Sequence, residues 1–449
     1  MGYRWSTYSE QYKISLTLAY PVMIGQLGQI MVSVADSIMV GKFLGTIPLA
    51  AISLAVSVLI IPMVFAIGVA YGLTPLIASA DGADDEKLVT KYFKNGLVLN
   101  SVLGLLIYGA IALFAKGAHL LGQDPRVVEA SLPYIHVVGF STIPMMSFFA
   151  FKQFAEGLSD TKAAMRVSLA ANLLNIILNY PLITGWGPFP ELGLMGAAVS
   201  TLSTRFLMLG GMAWYIRKQA KFQRYWQHWR SVQVDWSTIR EILSIGVPSG
   251  LQYVFEAGAF AMSGVIVGMI GPVQQAAHQI ALNIASISYM MVGGIGAAAT
   301  IRIGNQLGRR DFKLLRLAAQ STFHLTFFLM VLTMGLLIVC SGFLPLFYSS
   351  DPEVLGYTTI LIIAAGIFQI PDGLQATALG ALRGIKDVTL PTIIAFFSYW
   401  VIAVPLGYYL GVHREVGPLG VWIGLTVGLV LASIALYYRF QNRTHRLED

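Results

Sequence analysis

The stretch GVPSGLQYVFEAGAFAMSGVIVGMIG, residues 246–271, holds a single charged side chain, Glu256. That carboxylate lies near the middle of about thirty otherwise uncharged residues. A helix of roughly 20 apolar residues crosses a hydrocarbon core of ~30 Å, so this run is long enough to span a membrane with an acid inside it. Comparable apolar runs recur from one end of the chain to the other. Hydrophobic residues make up 56% of the 449 and charged residues 11%, whereas soluble chains carry about 25% charged residues. The composition therefore sets aside a string of soluble domains and predicts an all-α polytopic membrane protein.

Twelve spans are expected, near 13–40, 48–79, 95–115, 132–154, 164–184, 193–216, 239–270, 275–306, 317–341, 356–381, 388–411 and 417–438. With the N-terminus placed inside, 24 of the 29 Lys and Arg residues fall in cytoplasmic segments. Lys42, Lys116, Arg126 and Arg414 fall outside, and Arg205 falls within a span. This is the positive-inside bias, and it predicts a multi-pass membrane protein with both termini in the cytoplasm. It also accounts for the net charge of +7 without nucleic acid. The polar N-terminal segment MGYRWSTYSEQYK has no short apolar core ahead of a cleavage site, so the first helix is expected to act as the insertion signal. The basic, Trp-containing segment 217–241 suits either a helix along the inner membrane surface or a plain linker.

The chain repeats itself. An offset of 227 pairs Pro21 with Pro248, Gly41 with Gly268, Pro144 with Pro371, Gly157 with Gly384 and Asp160 with Asp387. An offset of 226 pairs AAISLA (50–55) with AAHQIA (276–281), Gly68 with Gly294 and Thr74 with Thr300. LGLMG (192–196) matches VGPLG (416–420). Six spans per half is an even number, so both halves enter the membrane in the same orientation, as in parallel transporter repeats. The expected organisation is an N-lobe (1–216, spans 1–6), a cytoplasmic connector (217–238) and a C-lobe (239–449, spans 7–12), forming two pseudo-symmetric six-helix bundles.

Polar residues within the spans do not follow the repeat. Glu256 pairs with Gln29, Asp372 with Met145, Asp36 with Ser263, Asn175 with Ile402 and Asn179 with Leu406. A charge at the bilayer centre costs ~2.5–3.5 kcal/mol on insertion scales, so such residues usually face a bundle interior or an aqueous cavity. Glu256 and Asp372 come from different spans of one half and suit reversible binding of a proton or a cation; the bland alternative is a hydrogen-bonded core carboxyl. Asp36 lies nearer the outer end of its span, beyond the break expected at Pro21. Asn175 and Asn179, spaced i and i+4, project from one helix face and can hydrogen-bond a neighbouring carboxyl or simply glue two helices together. Arg205 reads best as a structural counter-charge.

Other signals carry no chemistry. GIGAAA (294–299) fits a dinucleotide fingerprint but follows no strand and lies in a span, where small residues serve close helix packing. SDTK (159–162) sits in a short cytoplasmic loop, and the sequon NRT (442–444) is on the cytoplasmic side. The lone Cys340 allows no disulfide framework. The sequence has no HExxH and no P-loop, so an enzyme or an ATP-driven pump is not expected.

The segments PVMIGQLGQIMVSVADSIMVGKFLG, NLLNIILNYPLITG, VFEAGAF, AAHQIALNIASISYMMVGGIGAAATIRIGNQLG and PDGLQATALGALRGIKD resemble the MATE (multidrug and toxic compound extrusion) family, NorM-type branch. The resemblance runs from about residue 12 to 440. It implies export of organic, mainly cationic drugs in exchange for inward Na⁺ or H⁺, with no bound cofactor and with a monomer as the working unit. Under it, Glu256 and Asp372 look like the cation-site acids, including for Na⁺ as the metal. Tyr289 looks like their aromatic partner and Asp351 like a further acid, although a solvated loop position explains Asp351 as well. Asp36, Asn175 and Asn179 look like an N-lobe proton or substrate cluster; the amide at 179, where one branch places a second acid, puts a purely N-lobe proton mechanism in doubt. Met262, Met290, Met291 and aromatic side chains would suit flat lipophilic cations. The alternative is a flippase for lipid-linked intermediates, which would favour Arg and Lys over acids in its cavity.

The charge bias yields a test. Single cysteines at 228 and 413, in a Cys340→Ser background, should label from opposite sides of the membrane. Labelling of both from one side would defeat the twelve-span topology.

Overall fold

In the computed structural model, residues 5–117, 119, 122 and 124–447 are described. They form sixteen α-helices joined by short turns: α1 (Trp5–Leu44), α2 (Thr46–Tyr71), α3 (Leu73–Gly82), α4 (Glu86–Ala115), α5 (Pro125–Phe140), α6 (Thr142–Gly157), α7 (Thr161–Thr184), α8 (Leu194–Lys218), α9 (Ala220–Trp226), α10 (Trp236–Ile270), α11 (Pro272–Arg309), α12 (Phe312–Val339), α13 (Pro352–Gly384), α14 (Thr389–Phe396), α15 (Val404–Tyr408) and α16 (Pro418–His445). Among the described residues, eleven helical stretches are long and apolar enough to cross a membrane. α2 with α3, α5 with α6, and α14 with α15 each make one of them. The 25-residue α8, which carries Arg205, completes the expected twelve.

The repeat seen in the sequence is written into the backbone. Left-handed φ angles fall on repeat mates: Asp84 (55°) with Arg310 (57°), Ser159 (61°) with Lys386 (62°), and Gly193 (54°) with Gly417 (74°). Helix caps repeat too. Asp85 accepts from Leu88 N and its mate Asp311 from Leu314 N, which starts α4 and α12 alike. Asp124 accepts from Arg126 N and its mate Asp351 from Glu353 N, which starts α5 and α13. Each cap satisfies a backbone donor that the first helical turn leaves open. Side-chain and backbone hydrogen bonds from Arg126 hold the Asp124 carboxyl below the usual carboxylate range. Asp160 bonds Tyr215 of α8, and at the matching place Asp387 bonds Arg439 of α16 at 2.8 Å. Acids shared by the two halves are thus structural.

The chain divides into two compact units, Ile24–Gly250 (the N-unit) and Met1–Met23 with Leu251–Asp449 (the C-unit). The sequence placed the lobe boundaries at the connector, 217–238; the units instead part inside α1 and α10, just after the repeat mates Pro21 and Pro248. Each half lends the start of its first helix to the other half's unit. Glycine makes that docking possible. A Cβ at Gly68 of α2 would lie 2.5 Å from Gly250 Cα, and one at Gly72 would lie 2.7 Å from Gly246 Cα. In the C-unit, a Cβ at Gly294 of α11, the repeat mate of Gly68, would lie 2.7 Å from the Ala19 carbonyl oxygen. Buried Arg302 fixes the start of α1 there by donating to the Gln11 side chain and carbonyl, Ser15 and Ser321.

The connector is neither a loose linker nor a long surface helix. Its one helix, α9, has 7 residues, and Phe222 and Tyr225 are buried in the N-unit. Lys94 of α4 donates to the carbonyls of Trp229 and Val232 at 3.1 and 2.8 Å, and Asn95 Oδ1 accepts from Asp235 N. Backbone groups that a free linker would leave to water are satisfied by α4. Asp235 then caps α10 through Thr238 N, and that bond, with Lys91, holds its carboxyl below the usual range.

Close backbone approach generates the next test. Gly68→Ala should lower stability by about 1–3 kcal/mol, since the methyl must move the backbone of α10. Gly109→Ala, where a Cβ meets open space, should leave stability unchanged or raised, because glycine is the poorer helix former. Thermal unfolding of both proteins in detergent checks the contrast, and equal melting would contradict the packing.

Candidate functional site

The candidate residues gather in one buried polar cluster in each unit, built on different helices. In the N-unit, α7 presents Asn175 and Asn179 one turn apart, both almost fully buried. Asn179 Nδ2 donates to Asp36 Oδ1 in a close contact, and to Asn175 Oδ1 at 3.4 Å. Asn175 Nδ2 donates to Ser200 Oγ of α8 at 3.1 Å, and Ser200 returns a bond to the Asn175 carbonyl. Asp36, Asn175 and Asn179 are therefore brought together as the sequence anticipated. Arg205 donates to Ser141 Oγ at 2.7 Å, and its charge and that of Asp36 act on each other and on Tyr134. It is the counter-charge of the cluster. Gly28 of α1 gives room to a third amide, Asn172, whose Nδ2 lies 3.1 Å from where a Cβ would stand.

In the C-unit, Glu256 comes from α10, Tyr289 from α11 and Asp372 from α13. Glu256 and Asp372 are 8% and 5% exposed. Tyr289 reaches Glu256 through its hydroxyl, and the charges of Glu256 and Asp372 act on each other. The fourth expected member, Asp351, is not there. It is exposed at the first turn of α13, and the 21 residues from it to Asp372 correspond to roughly 30 Å of helix. Its repeat mate Asp124 performs the same capping task in the N-unit, so capping accounts for both acids.

Several members of the C-unit cluster carried no signal as candidates in the sequence. Tyr399 and Trp400 lie in a π-helical segment, Phe397–Ala403, of the crossing 389–413. Tyr399 Oη donates to Gln375 Oε1 at 3.0 Å, and Trp400 Nε1 donates to the Phe255 carbonyl beside Glu256, also at 3.0 Å. Gly258 lets that indole lie against α10, where a Cβ would be 2.8 Å from the ring. The signal available for the segment was Pro405: a proline inside a span removes an intrahelical donor, and π-bulges often mark functional sites. Gln369, Asp372 and Gln375, spaced by three, form one buried ridge on α13. Among the described residues no three His, Cys, Asp or Glu side chains gather as a metal-binding group. The cluster offers two carboxylates with neutral phenol and amide oxygens, a donor set suited to a monovalent ion or a proton.

The charge bias assigned Lys152, Arg302 and Arg383 to cytoplasmic segments; all three are buried in α6, α11 and α13. Lys152 pairs with Glu156 at 3.8 Å, and Arg383 lies over the Tyr253 ring at 5.8 Å. Half-buried Arg205, in the middle of α8, is thus one of several cations held by protein groups.

Fold and clusters together define a polytopic helical carrier built from a parallel internal repeat. A family model described as MatE matches the chain twice, at residues 21–181 and 248–409, in register with that repeat. The chain belongs to this family of MATE transporters. It is 32% identical over 457 residues to the "Probable multidrug resistance protein NorM" of Rhizobium meliloti (strain 1021), covering 99% of this chain and 95% of that one. It is 31% identical over 434 residues to multidrug resistance protein MdtK of Edwardsiella ictaluri, covering 95% and 94%. The fold matches a crystal structure of MATE in the straight conformation with a TM-score of 0.89 at 21% identity, over 98% of this chain and 97% of that one.

Proposed function

We propose that the protein is a secondary active multidrug efflux antiporter of the bacterial inner membrane. It exports organic, mainly cationic compounds in exchange for inward Na⁺ or H⁺, works as a monomer with both termini in the cytoplasm, and is a carrier rather than an enzyme. The observation that carries this reading is the pair Glu256 and Asp372. Two carboxylates from different helices are buried together in one unit, and their repeat mates, Gln29 and Met145, bear no charge. Burying one carboxylate already costs several kcal/mol unless it is neutralised. A proton or Na⁺ supplies that neutralisation, so occupancy by the ion decides whether the C-unit can hold its cluster closed. Tyr289 keeps Glu256 oriented in either state.

Coupling follows from difference alone: an ion or a drug shifts the carrier between states only by its unequal affinity for them. A drug cation and the coupling ion each answer the same negative charge, so binding of one opposes binding of the other. The N-unit cluster, with Asp36 already engaged by Asn179 and neighboured by Arg205, suits drug or proton binding. A flippase for anionic lipid intermediates would need basic groups free to meet a phosphate. Arg205 and Arg302 instead donate to hydroxyls and carbonyls of their own units.

The test is efflux of a fluorescent lipophilic cation by proteoliposomes under an imposed Na⁺ or H⁺ gradient. Wild type should export with at least one of the two. Glu256→Gln and Asp372→Asn should each fall to the rate of protein-free vesicles while still inserting and folding. Wild-type rates in either variant would remove that residue from coupling, and export independent of any gradient would point to a channel.

A further inference from the structure

Gln369 is the polar group in this molecule that its surroundings explain least. It is 1% exposed, and neither its amide oxygen nor its amide nitrogen meets a protein partner. Among the described residues it is the one carboxamide with both amide atoms fully buried and without a partner. A buried amide without partners is worse for folding than an apolar side chain of the same shape. Packing therefore gives no reason for glutamine at this place.

Its neighbours along α13 give one. Gln369 precedes Asp372 by three residues, on the same ridge, and Asp372 precedes Gln375 by three more. Gln375 Oε1 is taken by the Tyr399 hydroxyl, whereas Gln369 Oε1 is uncommitted. Between Gln369 and Asp372 lies Pro371, which has no N–H to give the carbonyl of Ile367. The uncommitted side-chain oxygen of Gln369 thus belongs to the residue one helical turn before the buried acid.

Neutral oxygens distinguish the two candidate ions. A carboxylate accepts either H⁺ or Na⁺. An amide or peptide oxygen takes no proton at ordinary pH yet coordinates a hard cation readily, as hard cations prefer oxygen ligands. The geometry points to Gln369 as a neutral ligand that extends the Glu256 and Asp372 site and selects Na⁺ over H⁺. This rests on the coupling-ion reading above, and the experiment separates the two.

Na⁺ is titrated calorimetrically into purified wild type, Gln369→Met and Gln369→Glu, with thermal unfolding recorded in Na⁺-free buffer. Wild type should bind Na⁺. Gln369→Met should bind about 10- to 100-fold more weakly, the range seen when groups supporting a metal site are lost, and should melt at the same or a higher temperature without Na⁺. Gln369→Glu, which keeps an oxygen of equal reach, should retain binding and so covers the case in which Gln369→Met does not fold. Unchanged affinity in Gln369→Met overturns the assignment of Gln369 and leaves the coupling-ion reading standing. A wild type that takes up no Na⁺ but exports under an H⁺ gradient overturns the selectivity and leaves a proton carrier. Loss of binding in a folded Gln369→Glu overturns the ligand role, as does a lower melting temperature of Gln369→Met with affinity unchanged.

Discussion

A carboxylate removed from water must be neutralised, and this structure is organised around where it allows that to happen. Acids at helix starts are neutralised by backbone donors, and where both halves need the same turn those acids come in pairs: Asp85 with Asp311, Asp124 with Asp351. Acids in the interior do not come in pairs. Asp36 has a serine as its repeat mate, Glu256 a glutamine and Asp372 a methionine. The repeat thus separates carboxylates that both halves use to start helices from those that one half alone buries.

The two interior clusters solve the charge problem differently. The N-unit meets Asp36 with protein groups, the Asn179 amide and the charge of Arg205. The C-unit sets two carboxylates near each other with a phenol, and leaves Gln369 without a partner on the same ridge. At the place matching Asp36, the C-unit has Ser263, within a closed chain in which Trp422 Nε1 donates to His278 Nδ1 and Ser263 Oγ donates to the Phe260 carbonyl. That chain is complete without an ion. The units share helices, caps and turns, but one meets its buried acid with an amide and an arginine while the other buries two acids.

Much of this was legible in the sequence, for a physical reason: a charge inside an apolar run is conspicuous because the bilayer makes it costly. Glu256, Asp372 and Asp36 stood out that way, and the i, i+4 spacing of Asn175 and Asn179 put two amides on one helix face, which the family resemblance grouped with Asp36. Gln369, Gln375, Tyr399 and Trp400 did not stand out, because amides and aromatics are ordinary in spans and their value depends on what faces them. The burial of Lys152, Arg302 and Arg383 was not legible, because hydropathy near a helix end cannot tell a buried charge from a wetted one. The sharing of α1 and α10 between units was hidden as well. GIGAAA (294–299) signalled close packing, but a pattern of small residues does not say which helix approaches.

The claim that the units share a fold and not a task is tested most directly by Na⁺ binding to two single variants, Asp36→Asn and Glu256→Gln, compared with wild type at one pH. If the ion site belongs to the C-unit, Asp36→Asn binds Na⁺ as wild type does and Glu256→Gln binds none. Loss of binding in Asp36→Asn together with full binding in Glu256→Gln would contradict the account and assign the ion to the N-unit.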